Sequence, residues 1–135
     1  MILDTSVLVE QDRGRFSLMT LRADFAGQTV GVAAITASEL LFGAYRTREV
    51  NRRIPQLARA EGLLADLTVH AFGYEEARRH AELWAYLASN GTPIGPHDAL
   101  IAATALARGD AVATLNHSEF ARVPGLRLLD VGRYR

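Results

Sequence analysis

Short apolar runs alternate with longer stretches of helical spacing along the whole chain. Five runs read as strands: Met1–Leu3, Thr29–Ala33, Leu67–Phe72, Ala111–Thr114 and Leu126–Val131. The third alternates with the period of two that a half-buried strand shows. The last two follow Gly109-Asp110 and Pro124-Gly125, both turn signals. Helical patterns fill the gaps at Val7–Glu10, Phe16–Ala26, Ala37–Tyr45, Val50–Asp66, Tyr74–Ser89 and His97–Arg108. Within Tyr74–Ser89, the residues Ala77, Ala81, Trp84 and Ala88 recur at helical spacing, which predicts one buried face with Trp84 in the core. That helix is expected to stop at Asn90-Gly91, ahead of a loop over Thr92–Pro96. Strands alternating with helices predict an α/β fold with a mainly parallel sheet of about five strands, as one domain over residues 1–135.

In an open parallel sheet, ligands bind outside the carboxyl ends of the strands. The first strand delivers Asp4, and the second leads through Thr36 to Glu39. The fourth delivers Asn116, His117 and Glu119, and the helix feeding it opens with Pro96-His97-Asp98. Asp4, Glu39, Asp98 and Asn116 are thus expected to converge in one crevice at that edge of the sheet. Each also has a plain structural use. Asp4 suits a helix N-cap, Thr36-x-x-Glu39 and Asn116-x-x-Glu119 have capping character, and Asp98 suits a first helical turn. Three carboxylates crowded on one edge repel one another unless a cation sits between them. An oxygen-only donor set suits Mg²⁺ or Mn²⁺ far better than zinc.

Composition narrows the chemistry further. The chain has 135 residues, 49% of them hydrophobic, which suffices for a real core and excludes disorder. All 15 basic residues are Arg, and there is neither Lys nor Cys. A phosphate-binding loop Lys, a Schiff base, a thiol nucleophile, a disulfide framework and a Cys-ligated metal are therefore all excluded. No run reaches the roughly 18 apolar residues of a membrane span. The start at Met1-Ile2-Leu3-Asp4 has no basic, apolar leader, so a cytoplasmic location is expected.

The net charge of zero is unevenly distributed. Residues 46–59 hold Arg46, Arg48, Arg52, Arg53 and Arg59 against Glu49 alone. Arg pairs bidentately with phosphate and stacks on bases, so this stretch suits RNA; a solvated helix face accounts for it equally well. Arg78 and Arg79 are offset by Glu75 and Glu76. His97 adjoins the acidic edge, where it is either a substrate contact or a surface residue, and His117 is similar. His70 and His80 read as structural.

Four segments then stand in a recognisable order: Met1-Ile2-Leu3-Asp4-Thr5-Ser6, Ile35-Thr36-Ala37-Ser38-Glu39-Leu40, Thr92 to Ala103 with Pro96-His97-Asp98 at its centre, and Ala113 to Leu126. Together they resemble the PIN-domain family, and within it the VapC-type ribonuclease toxins of bacterial toxin–antitoxin pairs. The resemblance spans essentially the whole chain. It implies an α/β/α sandwich and Mg²⁺-dependent endonucleolytic cleavage of RNA. Asp4, Glu39 and Asp98 match the family's three acidic metal positions. Asn116 falls where many relatives place a fourth Asp, so the fourth carboxylate is absent unless Glu119 supplies it. Thr5, Ser6 and Thr114 are candidates to orient the carboxylates, and Arg46, Arg48, Arg52 and Arg53 to hold RNA. A homodimer and a cognate antitoxin are the partners implied, the antitoxin covering the acidic crevice. The apolar stretch Leu40–Tyr45 suits either interface or the core.

Two other classes compete. Receiver domains and haloacid-dehalogenase-like phosphatases also cluster carboxylates at strand ends, but they use a Lys that this chain lacks. A catalytically inert PIN-like module that binds RNA or protein is the second alternative, and metal binding separates it from a nuclease.

Overall fold

Neighbouring residues of the central strands point into opposite cores, and this alternation sets the architecture. Leu3, Val32 and Ala113 join a cluster with Val7, Leu8, Phe16 and Leu21 on one side of the sheet. Ile2, Ala33 and Val112 join Leu83, Leu87, Ile101 and Phe120 on the other. A computed structural model describes residues 1–135. The elements in order are β1 (Ile2–Leu3), α1 (Thr5–Asp12), α2 (Leu18–Asp24), β2 (Gly31–Ala33), α3 (Ala34–Tyr45), α4 (Val50–Ala65), β3 (Thr68–His70), α5 (Tyr74–Asn90), α6 (Pro96–Arg108), β4 (Val112–Thr114), α7 (His117–Phe120) and β5 (Leu128–Asp130). A last 3₁₀ turn spans Gly132–Tyr134.

All strand pairings are parallel, in the order β3-β2-β1-β4-β5. The sheet is covered by helices on both faces, as strands buried on both sides require. The expected α/β/α sandwich with five strands is the fold observed. The chain builds outward from β1 to β3, then returns to place β4 on the other side of β1. The switch point therefore lies between β1 and β4, where a parallel sheet opens a crevice at its carboxyl edge. Ile2 pairs with Val112 and Leu3 with Ala113, and the Asp4 N–H donates to the Ala113 carbonyl at 2.9 Å. Asp4 thus leaves the sheet beside Thr114.

The helix between β3 and β4 departs from the expected pattern. Ala77, Ala81, Trp84 and Ala88 of α5 face solvent, with Trp84 67% exposed, while Leu83 and Leu87 are buried. The face that packs on α6 is one residue out of step with the alanine stripe. Leucines bury more apolar area than alanines, so they win the inner face. Trp84 instead stacks outside against His80, at a centroid distance of 5.7 Å. Boundaries also differ. Helix α3 begins at Ala34 directly off β2, and α6 at Pro96, whose fixed φ and missing N–H suit a first helical position. No helix is long and apolar enough to cross a membrane.

Candidate active site

The crevice at the β1–β4 switch point gathers the acidic residues. Asp4 occupies the N-cap position of α1, yet its side chain makes no capping bond. It is 3% exposed, and its Oδ2 accepts from Ser6 Oγ at 2.7 Å and from Thr114 Oγ1 at 2.7 Å. Both donors reach the same oxygen, so Oδ1 has no protein donor. Thr114, fully buried, also accepts from the Asn116 N–H at 2.8 Å. This orders a relay from the Asn116 backbone through the Thr114 hydroxyl to Asp4.

Glu39 lies in the second turn of α3. The capping box suggested by Thr36-x-x-Glu39 does not form, because α3 starts at Ala34 and Thr36 is already inside it, fully buried. Thr5 Oγ1 sits between the two residues, 3.1 Å from Thr36 Oγ1 and 2.9 Å from Glu39 Oε1. The other carboxylate oxygen of Glu39 stands 3.5 Å from Nδ1 of His97, whose side chain is 55% exposed. The three hydroxyls expected near the acids, on Thr5, Ser6 and Thr114, all contact a carboxylate.

Asp98 stands in the first turn of α6. Its carboxyl is pushed up from the ordinary 3.8 to about 7, first by burial, then by the charges of Asp4 and Glu119, with Glu39 adding to them. Each neighbour disfavours a further negative charge at Asp98. Glu119 comes from the short helix α7. Its Oε1 accepts the Gly95 N–H in a short hydrogen bond and its Oε2 accepts from Asn116 Nδ2 at 3.2 Å. These donors, with Arg122 nearby, hold its carboxyl below the usual range, the Gly95 N–H contributing most.

The fourth position is therefore shared. Asn116 spends its side-chain N–H on Glu119, and Glu119 is the acid beside Asp98. Gly95 was not singled out by the sequence, and its missing side chain leaves room for both Asp98 and Glu119 against the backbone. A Cβ built on it would lie 3.3 Å from Glu119 Oε1 and 3.4 Å from Asp98 Oδ2. Its only sequence signal is its place between Ile94 and Pro96.

No three of these side chains close a cage around one ion. The donor set nevertheless fits a hard divalent cation. Mg²⁺ is commonly held by one or two carboxylates, with water and substrate phosphate completing its shell. Asp4 Oδ1 and the crowded Asp98 carboxyl supply those two.

The arginines divide sharply. Eight pair with carboxylates, among them Arg59 with Asp12 at 3.6 Å, and Arg78 and Arg79 with Glu82. Arg22, Arg122 and Arg127 donate to backbone carbonyls. The four left are Arg46, Arg48, Arg52 and Arg53, at the corner between α3 and α4. Arg59, part of the same basic stretch, pairs with Asp12 instead.

Comparison with known proteins places this geometry. The family model for the PIN domain matches residues 1–126. The chain is 37% identical over 131 residues to ribonuclease VapC1 of Rickettsia felis, covering 97% of the chain and 96% of the relative. It is 37% identical over 121 residues to the tRNA(fMet)-specific endonuclease VapC of Salmonella typhimurium, covering 90% and 84%. Among solved structures, DNA-bound VapBC from Salmonella typhimurium superposes with a TM-score of 0.86 at 32% identity, covering 96% of each chain.

Proposed function

The chain belongs to the PIN-domain family, among its VapC ribonucleases, and from that premise we propose that the crevice at the β1–β4 switch point is where it cuts RNA. It is the toxin of a toxin–antitoxin pair, and its partner is a cognate antitoxin, as in the VapBC complexes it resembles. The observation that carries the site assignment is the gathering of Asp4, Glu39 and Glu119 around a half-buried Asp98, whose carboxyl is raised to about 7 by burial first and by their charges next. Such repulsion is costly to a fold unless a cation relieves it.

The cofactor we assign is Mg²⁺, with Mn²⁺ as a substitute, held by Asp4 and Asp98 and by Glu39 directly or through water. When bound, such a cation acidifies an attacking water and neutralises charge building on the scissile phosphate. The protein's own residues do the rest. Ser6 and Thr114 fix Oδ2 of Asp4 and leave Oδ1 without a protein donor, available to a cation. Thr5 fixes Oε1 of Glu39 and leaves the second oxygen toward His97. Glu39 or Asp98 takes the proton of the attacking water. Asn116 acts through Glu119, which it steadies beside Asp98. The products carry 5′-phosphate and 3′-hydroxyl ends.

Arg46, Arg48, Arg52 and Arg53 hold the phosphates of the RNA. Their support is that they alone among the arginines have no carboxylate or carbonyl partner within the chain. The protein works as a homodimer in this reading, and a relative specific for tRNA(fMet) makes initiator tRNA the first substrate to try. Expressing the wild type and Asp98→Asn in cells and mapping new RNA 5′ ends tests the assignment. New ends in the wild type alone are expected, and identical maps would overturn it.

A further inference from the structure

We propose that His97 accepts a hydrogen bond from the 2′-hydroxyl of the ribose at the cut, so that this side chain makes the crevice select RNA over DNA. The inference rests on the nuclease reading above and adds the residue that reads the sugar. His97 is the second residue of α6, between Pro96 and Asp98. The fixed φ of Pro96 sets where that helix begins, which holds His97 at the lip of the crevice. Its side chain is 55% exposed, and Nδ1 stands 3.5 Å from Oε2 of Glu39. Thr5 in turn holds Glu39 through Oε1. A carboxylate oxygen facing Nδ1 repels a lone pair there and favours a proton. In the neutral ring the other nitrogen, Nε2, is then the acceptor.

The other polar side chains of the crevice are already engaged. The hydroxyls of Thr5, Ser6 and Thr114 contact Glu39 and Asp4. Asn116 donates through Nδ2 to Glu119 and accepts through Oδ1 from Ser118. His97 meets the chain only through Nδ1, which leaves Nε2 for a ligand. The carboxylates can accept as well, but their charge has the sign of the RNA and is directed to the cation. A neutral acceptor meets no such repulsion beside a phosphate. Cleavage that leaves a 3′-hydroxyl places a 2′-hydroxyl on the carbon next to the leaving oxygen. That hydroxyl is the donor that RNA has and DNA lacks. A site built to pair with a hydroxyl discriminates against the analogue that lacks it.

One short mixed-sequence strand, fluorescein-labelled and made as RNA, 2′-amino RNA, 2′-fluoro RNA and DNA, tests this. The 2′-fluoro sugar keeps the pucker of RNA with no hydrogen to donate, and the 2′-amino sugar restores a donor. Anisotropy in EDTA reads binding without cleavage. The wild type is expected to bind RNA and 2′-amino RNA roughly 3- to 10-fold more tightly than 2′-fluoro RNA. His97→Ala should bind all of them at the weaker level. His97→Gln, which keeps an uncharged acceptor, should retain part of the preference. His97→Lys, with donors alone, should recover affinity without it. In Mg²⁺, a single 2′-fluoro sugar at the mapped cut should slow the wild type by a similar factor and leave the rate of His97→Ala unchanged. Equal treatment of RNA and 2′-fluoro RNA by the wild type overturns the proposal, as does an undiminished preference in His97→Ala. If His97→Ala weakens every sugar form alike and the preference survives, His97 binds phosphate and the proposal again falls. Absence of RNA cleavage by the wild type with Mg²⁺ strikes the nuclease reading instead, while the sugar comparison in EDTA still decides the role of His97.

Discussion

Thr114 Oγ1 donates to Asp4 Oδ2 at 2.7 Å, joining residues 110 positions apart across the switch point of the sheet. That bond, with the one from Ser6, engages Oδ2 of Asp4 and leaves Oδ1 without a protein donor. Replacing Thr114 with Val keeps the shape and removes the hydroxyl. Orienting partners of this kind are typically worth 10–100-fold in metal affinity or activity. We expect Thr114→Val to lose roughly that much RNA cleavage, while stability falls by about 1–3 kcal/mol because the Asn116 N–H loses its acceptor. Thr114→Ser should restore both. Cleavage kinetics alongside thermal melting separates the two effects.

Asp98 predicts a pH dependence whose sign is fixed. Its folded value of about 7 exceeds the ordinary 3.8, so between these values the folded state binds more protons than the unfolded one. Stability of the metal-free protein should therefore fall as pH rises from about 4 to 7 and level off above. Asp98→Asn removes the penalty and should stabilise the metal-free chain at pH 8 by about 1–3 kcal/mol, after allowing for partial exposure of the group. Mg²⁺ must displace the proton, so its affinity should rise through pH 7. Melting curves and calorimetric titration across pH 5 to 9 check both.

Glu119→Gln tests the shared fourth position. It removes a neighbouring charge that raises Asp98 while keeping an acceptor for the Gly95 N–H. The pH midpoint for metal binding should move down, toward the ordinary carboxylate range. An unmoved midpoint would remove Glu119 from the site.

Charge reversal at Arg52 and Arg53 should weaken RNA cleavage at low salt and flatten its salt dependence, since fewer counterions are then released on binding. The same double reversal at Arg78 and Arg79, which already pair with Glu82, is the control and should change little. Rates at several salt concentrations read this directly.

How much of this was legible in the chain differs by element. The strands and their parallel arrangement follow from short apolar runs between helical patterns, and the crevice follows from Asp4, Asn116 and Glu119 standing just past strand ends. Helix α5 was misread because alanine recurs at helical spacing on its outer face, while the buried face is marked only by Leu83 and Leu87. The capping reading of Thr36 and Glu39 failed because α3 starts at Ala34, directly after β2, so the N-cap position falls on Ala33 and Thr36 is already inside the helix. Gly95 and the partnering of the arginines were illegible, since both depend on which distant residues the fold brings near. The corrected face of α5 is itself testable: Leu83→Ala should cost about 2–5 kcal/mol and Trp84→Ala less than about 1.

Divalent-cation-dependent cutting of RNA in the crevice around Asp4 and Asp98 is tested most directly with purified components. Purified protein is incubated with initiator tRNA in Mg²⁺, in excess EDTA, and in EDTA followed by added Mg²⁺, with Asp98→Asn in parallel. Fragments with 5′-phosphate and 3′-hydroxyl ends are expected in Mg²⁺, none in EDTA, recovery on adding Mg²⁺, and none from Asp98→Asn. Cleavage that persists in excess EDTA, or at an undiminished rate in Asp98→Asn, would contradict this assignment.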